Sequence, residues 1–216
     1  MSTLDLFHQA QPGQRVVMGA QAFILPGFAE PWLDQLLPAL HAIQQKAPLR
    51  QMTTKGGRRM SVQSTACGDL GWVSGEHGYC YSPIDPDSGE PWLAMPDFLL
   101  QLAQSAASAS GFNHFQPDSC LINRYLPGAR MGLHQDRDEK DFAAPIVSLS
   151  LGMPATFLFG GFNRSDRPSR TLLNHGDVVV WGGVDRLRFH GVLPLANIPH
   201  QQLGNQRINL TLRKAG

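Results

Sequence analysis

Hydrophobic residues recur at helical spacing in two stretches of the first half of the chain. In "EPWLDQLLPALHAIQQKA", residues 30–47, the apolar side chains fall near a period of 3.6, which predicts an amphipathic helix. Pro31 suits the first turn, whereas Pro38 should kink this helix or shift its start. A second helix is predicted in "PDFLLQLAQSAASASG", residues 96–111, with Gly111 as its C-terminal cap.

The pattern changes to strands after residue 111. Short segments there alternate or are rich in β-branched residues, and Gly or Pro bounds most of them. They are "SCLINRYLPG", "APIVSLSLG", "ATFLFGG", "RTLLNHGDVVVWGG", "LRFHGVLPL" and "QRINLTLR". Strands without helices between them predict an antiparallel sandwich or barrel. Residues 50–91 show little periodicity and are interpreted as short strands and loops, which often carry function.

Composition and charge narrow the class of protein. The chain has 216 residues, 42% of them hydrophobic, which favours one globular domain with a packed core. A formal net charge of +1 argues against binding nucleic acid or membrane by bulk charge, although a local basic groove stays compatible with it. The N-terminus lacks the basic start and apolar run of a secretory signal, and no stretch approaches the ~20 apolar residues of a membrane span.

The cysteines indicate a reducing compartment. Cys67, Cys80 and Cys120 are widely spaced and odd in number, and no C-x-x-C pair is present. This argues against a disulfide framework and against a structural zinc finger. We therefore expect a cytoplasmic protein.

A histidine and an acid stand close together in "GLHQDRDEKD", residues 132–141. If this stretch is extended, His134 and Asp136 point to the same side. His190, predicted on a strand, could supply a third ligand, and two histidines with one carboxylate are typical of non-haem Fe(II) oxygenases. The alternative is a hydrophilic turn and a buried structural His190. On the H-x-D spacing alone this alternative is favoured, because the pair is common by chance.

The segment "RINLTLR" alternates strictly and places all its polar residues on one face. These are Arg207, Asn209, Thr211 and Arg213. Guanidinium groups bind carboxylates bidentately and stay charged when buried, so a small diacid could be held along this face. Asn123 and Tyr125, on one face of "LINRY", could complete its hydrogen bonds. The alternative, a solvated edge strand, would usually carry Lys and Glu as well.

Together, these motifs resemble the Fe(II)/2-oxoglutarate-dependent dioxygenases. More narrowly, the chain resembles the AlkB-type enzymes that repair alkylated DNA in bacteria. The matching segments occur in the expected order and cover roughly residues 50–213. They are "SPIDP", "FQPDSCLINRYLPGARMGLHQDRDE", "APIVSLSLG", "HGDVVVWGG" and "RINLTLR".

The resemblance implies a mainly β fold with flanking helices (α+β), built on a double-stranded β-helix, or jelly-roll, core. The whole chain, 1–216, would be a single domain. About 1–111 would form the N-terminal helices and a nucleotide-recognition lid, and about 112–216 the catalytic core.

The resemblance also assigns the cofactors and their residues. Fe(II) would be bound by His134, Asp136 and His190, and O2 and 2-oxoglutarate would be cosubstrates. Five residues would bind 2-oxoglutarate: Arg207, Tyr125 and Asn209 at its far carboxylate, and Arg213 and Asn123 near the iron end. The implied reaction is oxidative demethylation of bases such as 1-methyladenine and 3-methylcytosine, which releases formaldehyde, succinate and CO2.

On the substrate side, the resemblance implies a flipped base held by aromatic and charged side chains. The residues concerned are Trp72, Tyr79, Tyr81, Asp138 and Arg164. Trp72 would stack on the base and Asp138 would face its exocyclic amine. Without the resemblance, a core tryptophan is the better interpretation of Trp72, and the alternative for Asp138 is a surface acid in a charged loop. Glu139 and Asp141 are interpreted as ordinary solvated charges, and Trp92 and Trp181 as structural residues.

The expected partner is alkylated DNA, with a preference for single strands, and RNA is a further expected substrate. The enzyme is expected to be a monomer. Basic residues could line a phosphate track or a solvated face. They are Arg50, Lys55, Arg58, Arg59, Arg164, Arg167 and Arg170. Two other functions compete with repair: hydroxylation of a protein side chain or small metabolite, and a non-catalytic nucleic-acid-binding β-barrel. Trp72, Tyr79 and the arginine clusters disfavour the first, and the triad with paired arginines disfavours the second.

Overall fold

The computed structural model describes residues 14–54, 56–75 and 78–216. The N-terminal thirteen residues, which contain most of the segment predicted not to be a secretory signal, lie outside these ranges, as does Lys55. Within the described ranges, no helix has both the length and the apolar character needed to cross a membrane.

The described residues form mostly strands, with two α-helices. The strands are β1 (Val16–Gly19), β2 (Ala22–Leu25), β3 (Gln63–Gly68), β4 (Gly71–Gly75), β5 (Gly78–Ser82), β6 (Ser119–Tyr125), β7 (Met131–His134), β8 (Ile146–Gly152), β9 (Ala155–Phe159), β10 (Ser169–Leu173), β11 (Val178–Trp181), β12 (His190–Val192) and β13 (Arg207–Arg213). The helices are α1 (Leu33–Lys46) and α2 (Asp97–Ala109), and short 3-10 turns span Glu30–Trp32 and Gly183–Asp185.

Both helices lie where the apolar spacing predicts them. A 3-10 turn containing Pro31 precedes α1, and α1 then continues through Pro38. Its buried residues, Leu36, Leu40 and Ile43, face the core. After α2, Gly111 adopts a φ of +89°, which is the left-handed conformation expected of a glycine that caps a helix.

Two antiparallel sheets face each other and form the predicted jelly roll. The main sheet has seven strands in the order β1-β2-β11-β8-β13-β6-β3, and the second has four in the order β10-β9-β12-β7. A separate two-stranded hairpin pairs β4 with β5. Because β1, β2 and β3 precede residue 112, the main sheet draws strands from both halves of the chain.

The alternation of side chains along each strand builds two cores. On the outer face of the main sheet, Ile208, Leu210 and Leu212 of β13 pack in one cluster with residues of α1 and α2. On the inner face, Trp181 and Phe157 belong to a second cluster between the sheets. β13 pairs with β6 on one side and β8 on the other, so it is a central strand rather than a solvated edge.

Close approach of β12 to β7 brings two predicted site residues together. His190 and His134 are direct partners in this antiparallel pair. A Cβ added at Gly191 would lie 2.7 Å from the carbonyl oxygen of Met131 on the neighbouring strand. Gly191 therefore permits the separation at which the two histidines meet.

We expect Gly191→Ala to separate β12 from β7 and to lower the free energy of unfolding by about 1–3 kcal/mol, as overpacking does. Gly132→Ala on β7 is the matched control, because its added Cβ would meet nothing within 4 Å. Urea denaturation of the three proteins measures the difference. Equal losses in both variants would contradict the close-approach explanation.

Candidate active site

Three of the predicted residues converge at the end of β7. Asp136 follows the strand by two residues, and its carboxylate oxygens lie 3.5 Å from His134 Nε2 and 3.8 Å from His190 Nε2. The two imidazole rings are 4.4 Å apart between centroids. One donor atom from each residue lies within 4.8 Å of the others, so the three side chains could hold a single metal ion on one face.

Backbone carbonyls orient both imidazole rings. His134 Nδ1 lies 2.9 Å from the oxygen of Gly132, and His190 Nδ1 lies 3.1 Å from the oxygen of Arg188. A carbonyl can only accept, so each Nδ1 carries the proton and each Nε2 presents its lone pair to the site. Burial, together with the nearby His134, lowers the pKa of His190 to about 4, so this ring is neutral near pH 7.

An arginine keeps the acid of this group ionised. Burial alone would raise the pKa of Asp136, but the adjacent Arg213 guanidinium and both histidines outweigh burial and hold it below its usual range. Arg213 donates to Asp136 Oδ2 from Nε at 3.0 Å and from Nη2 at 2.6 Å. Arg213 therefore lies beside the candidate metal ligands, and its partner is the carboxylate of the triad.

Glu139 corrects the sequence interpretation. The prediction of an ordinary solvated charge is wrong, since Glu139 is only 6% exposed. Its carboxylate accepts hydrogen bonds from Tyr81 and Arg186 and lies 3.3 Å from Arg213 Nε. Both arginines are far away in sequence, so the charged run around Glu139 offered no local signal of burial. Asp141 is exposed, as predicted.

Arg207, at the other end of the polar face of β13, is a buried cation that pairs with no acid among the described residues. It is 1% exposed and donates from Nη2 to Ser150 Oγ at 2.9 Å. Its Nε and Nη1 have no hydrogen-bond partner in the described part of the chain. The Tyr125 ring lies 5.0 Å from the guanidinium carbon. Since burial of unpaired donors is unfavourable, this arrangement fits a carboxylate ligand.

The amides between the two arginines already have partners within the protein. Asn209 Nδ2 donates to Ser148 Oγ and to the Leu149 carbonyl, both at 2.9 Å. Asn123 Oδ1 accepts from Ser64 Oγ at 2.6 Å. Both amides line the same cleft as Arg207. They give its wall a fixed shape through these bonds.

The predicted nucleotide-binding residues line this cleft, which has a volume of about 830 Å³. Trp72 and Tyr79 stack with ring centroids 4.7 Å apart and planes inclined by 23°. Trp72 Nε1 donates to Asp138 Oδ2 at 2.8 Å, and Tyr81 donates to Glu139 Oε1 at 2.7 Å. Arg164 is exposed on the cleft wall.

The basic residues that could line a phosphate track or a solvated face lie in different environments in the structure. Arg58 and Arg59 line the cleft together with Arg164, whereas Arg167 and Arg170 are exposed away from it. Arg50 instead pairs with the buried Asp85. Arg130 and Arg137 also line the cleft and were missed, because neither belongs to a basic cluster in the sequence.

Trp92 and Trp181, both interpreted from the sequence as structural, have different environments. Trp92 is buried and donates from Nε1 to the Ser82 carbonyl at 2.9 Å, which is a structural role. Trp181 belongs to the inner core and also lines the cleft, with its ring 4.9 Å from His190. Its Nε1 has no partner among the described residues. Nothing in its local sequence distinguishes it from a core residue.

Comparison with known proteins identifies the family. The model of the 2OG-Fe(II) oxygenase superfamily matches residues 21–213. The chain belongs to this superfamily. It is 53% identical over 213 residues to the alpha-ketoglutarate-dependent dioxygenase AlkB of Escherichia coli, covering 99% of this chain and 98% of that one.

More distant relatives share the fold and part of the sequence. The solved structure of OsALKBH1 matches with a TM-score of 0.80 and 25% identity, over 93% of this chain and 100% of that one. The nucleic acid dioxygenase ALKBH1 of Mus musculus is 35% identical over 124 residues, which are 57% of this chain and 31% of that protein. Members of the superfamily use Fe(II), O2 and 2-oxoglutarate, and the three convergent side chains suit the iron.

We expect His190→Ala to abolish metal binding at the triad, because two ligands do not hold the ion against water. His200→Ala is the control, since His200 stacks on His175 instead. Anaerobic titration with Co(II), followed by visible absorption, compares both variants with the unaltered protein. An unchanged Co(II) spectrum in His190→Ala would place the metal elsewhere.

Proposed function

We propose that this protein is a repair dioxygenase that removes alkyl groups from the ring nitrogens of bases in DNA. One observation carries the proposal: the three candidate metal ligands line the same cleft as an aromatic and acidic platform, formed by Trp72, Tyr79 and Asp138. Asp138, which is bonded to Trp72, stands two residues after Asp136 of the triad. A base held at this platform would therefore reach the oxidant.

The donor groups fit the cofactors of the superfamily. His134, Asp136 and His190 would hold Fe(II) and leave positions for 2-oxoglutarate and O2. Arg207, with its two unpaired buried nitrogens, would bind the far carboxylate of 2-oxoglutarate beside Tyr125. Asn209 would shape this end, while Asn123 and Arg213 would lie near the iron end.

Bound iron and 2-oxoglutarate would supply the oxidation: one oxygen atom of O2 would enter an N-methyl group, and the other would enter succinate as CO2 leaves. The N-hydroxymethyl group would then lose formaldehyde: the C–N bond breaks with its electron pair staying on the ring nitrogen, and the hydroxyl proton leaves to water. The protein positions the methyl group and excludes water from the buried end of the cleft. His134, whose side chain is 38% exposed, marks the side from which the base enters.

The platform suits a cationic base. Trp72 and Tyr79 offer aromatic faces for stacking, and Tyr81 anchors the hairpin that carries them. Methylation at a ring nitrogen gives 1-methyladenine and 3-methylcytosine a positive charge, which the carboxylate of Asp138 would stabilise. Arg164 would contact the phosphate backbone, and each such contact makes the affinity salt-dependent.

We further propose a preference for single strands, because a modest basic groove with an aromatic platform suits an unpaired nucleotide. RNA bases carrying the same lesions would be further substrates. The enzyme would act as a monomer, with residues 1–216 as a single domain. Free thiols at Cys67, Cys80 and Cys120 fit a cytoplasmic, reducing location.

Protein reconstituted without oxygen and then given Fe(II), 2-oxoglutarate and O2 should release formaldehyde from oligonucleotides containing 1-methyladenine or 3-methylcytosine. A panel of single- and double-stranded DNA and RNA, together with peptide and metabolite extracts, ranks the substrates by succinate formed. The restored base is measured by mass spectrometry. If succinate formation responds to peptide or metabolite extracts but not to methylated oligonucleotides, the enzyme is a hydroxylase with another substrate.

Arg207→Met should leave the ligand-free protein as stable as before or more so, because it removes a buried charge with unpaired donors. The same variant should lose the stabilisation by 2-oxoglutarate with Mn(II), which amounts to about 2.7 kcal/mol when ligand is present at about 100 times Kd. Arg124→Met is the matched control, since Arg124 bonds Gln63 outside the cleft. Thermal unfolding with and without ligand decides: a full ligand-induced shift in Arg207→Met would exclude this binding mode.

A further inference from the structure

Glu139 joins three separate elements at one buried carboxylate. Its Oε1 accepts from the Tyr81 hydroxyl of β5 at 2.7 Å, and its Oε2 accepts from Arg186 Nη2 at 3.0 Å. Arg213 Nε of β13 lies 3.3 Å from Oε1. The side chain of Glu139 is 2% exposed, so these donors replace water around it. A buried carboxylate with this many partners from distant segments connects the parts of the site.

On one side, Glu139 belongs to the same cluster of buried charges as Asp136 of the triad, because Arg186 and Arg213 contact both residues. Arg213 donates twice to Asp136 Oδ2, and Arg186 donates from Nη1 to the Asp136 carbonyl at 3.0 Å. The cluster thus contains two carboxylates, Asp136 and Glu139, and two guanidinium groups. Removing one buried charge leaves an excess of the opposite sign. Without Glu139, two guanidinium groups would face one carboxylate, and the excess positive charge beside Asp136 would act against a metal cation there.

On the other side, Glu139 anchors the hairpin β4–β5. Tyr81 is the direct cross-strand partner of Trp72. Trp72 is bonded to Asp138, so two consecutive carboxylates hold the two paired aromatic residues. The hairpin position is therefore tied to the segment that carries Asp136.

We propose that Glu139 is a positioning residue with two separable effects: through Arg213 it supports metal affinity at the triad, and through Tyr81 it holds the hairpin that receives the base. This inference rests on the function proposed above and deepens it, since it assigns to Glu139 a role that acts through Arg213 and Tyr81. The two effects can be separated because the Arg213 guanidinium carries the first and the Tyr81 hydroxyl carries the second.

Two substitutions divide the effects. Tyr81→Phe deletes one hydroxyl and leaves every charge of the cluster in place. Glu139→Gln removes the charge and retains a carbonyl that can accept from Tyr81. Glu90→Gln, an acid-to-amide change at an exposed residue, is the control. Anaerobic Co(II) titration measures the metal Kd, and repair of an oligonucleotide containing 3-methylcytosine measures KM, kcat and succinate formed per base restored.

Tyr81→Phe should raise the KM for the oligonucleotide about tenfold and increase succinate formed per repaired base, because a hydrogen bond to a charged group is lost. Its Co(II) Kd should stay within about twofold of the original. Glu139→Gln should raise the Co(II) Kd about tenfold or more, with KM within about threefold. General loss of packing would move both quantities together, so the crossed pattern identifies positioning.

A third variant separates Tyr81 acting through Glu139 from Tyr81 contacting the nucleotide itself. Glu139→Leu removes the acceptor without changing Tyr81, and it should raise both KM and the Co(II) Kd. The inference would be overturned by an unchanged KM in Glu139→Leu, by a wild-type KM in Tyr81→Phe, or by parallel changes of KM and Co(II) Kd in Tyr81→Phe or in Glu139→Gln. If thermal unfolding shows that the Glu139 variants do not fold, Tyr81→Phe decides by its KM and Kd.

The proposed function can fail separately. If the unaltered protein binds no Co(II) and restores no methylated base, the proposed function itself is wrong. If the unaltered protein does both and the variants do not show the crossed pattern, only the role of Glu139 is wrong.

Discussion

The ion pair between Arg213 and Asp136 is the contact on which the candidate active site depends. Asp136 follows β7 and Arg213 ends β13, so the pair ties the segment after β7 to the centre of the main sheet. Burial alone would favour a protonated Asp136, which is a poor metal ligand; Arg213 keeps the carboxylate ionised. In turn, Glu139 and Asp136 together keep Arg213 charged, because burial alone would lower its pKa. Each charge in this cluster is tolerable only while the others are present.

The two arginines of β13 have opposite environments although they share one face of one strand. Arg213 is paired with acids within the protein, whereas two buried donors of Arg207 have no partner in the part of the chain that the structure describes. The residues between them are bonded to β8 and to each other through Asn209 and Thr211. At one end of the polar face of β13, Arg213 supports the carboxylate of the candidate metal site, and at the other end Arg207 is available to an anion. This division suits a cosubstrate with a carboxylate at its far end.

Much of the fold follows from periodicity, and the limits of that signal are physical. The strict alternation in residues 207–213 predicts two faces, and the structure has them, with apolar residues against the helices and polar ones in the cleft. Glu139 was misjudged because its partners, Arg186 and Arg213, are distant in sequence. Arg50 was grouped with basic residues that could line a phosphate track or a solvated face, whereas the fold pairs it with the buried Asp85. A charged residue in a charged run carries no local mark of burial.

The sequence by itself determined the helices, most of the strands, the residue types of the site and the family to which they point. Local spacing suffices for these, because backbone geometry sets the face on which each side chain lies. Only the tertiary structure decided which buried polar groups have hydrogen-bond partners among the described residues and which do not. His134 meets His190 through the register of β7 with β12, and Arg207 lacks an anion because no acid packs beside it among the described residues. Such pairings depend on contacts between distant segments, which periodicity does not encode.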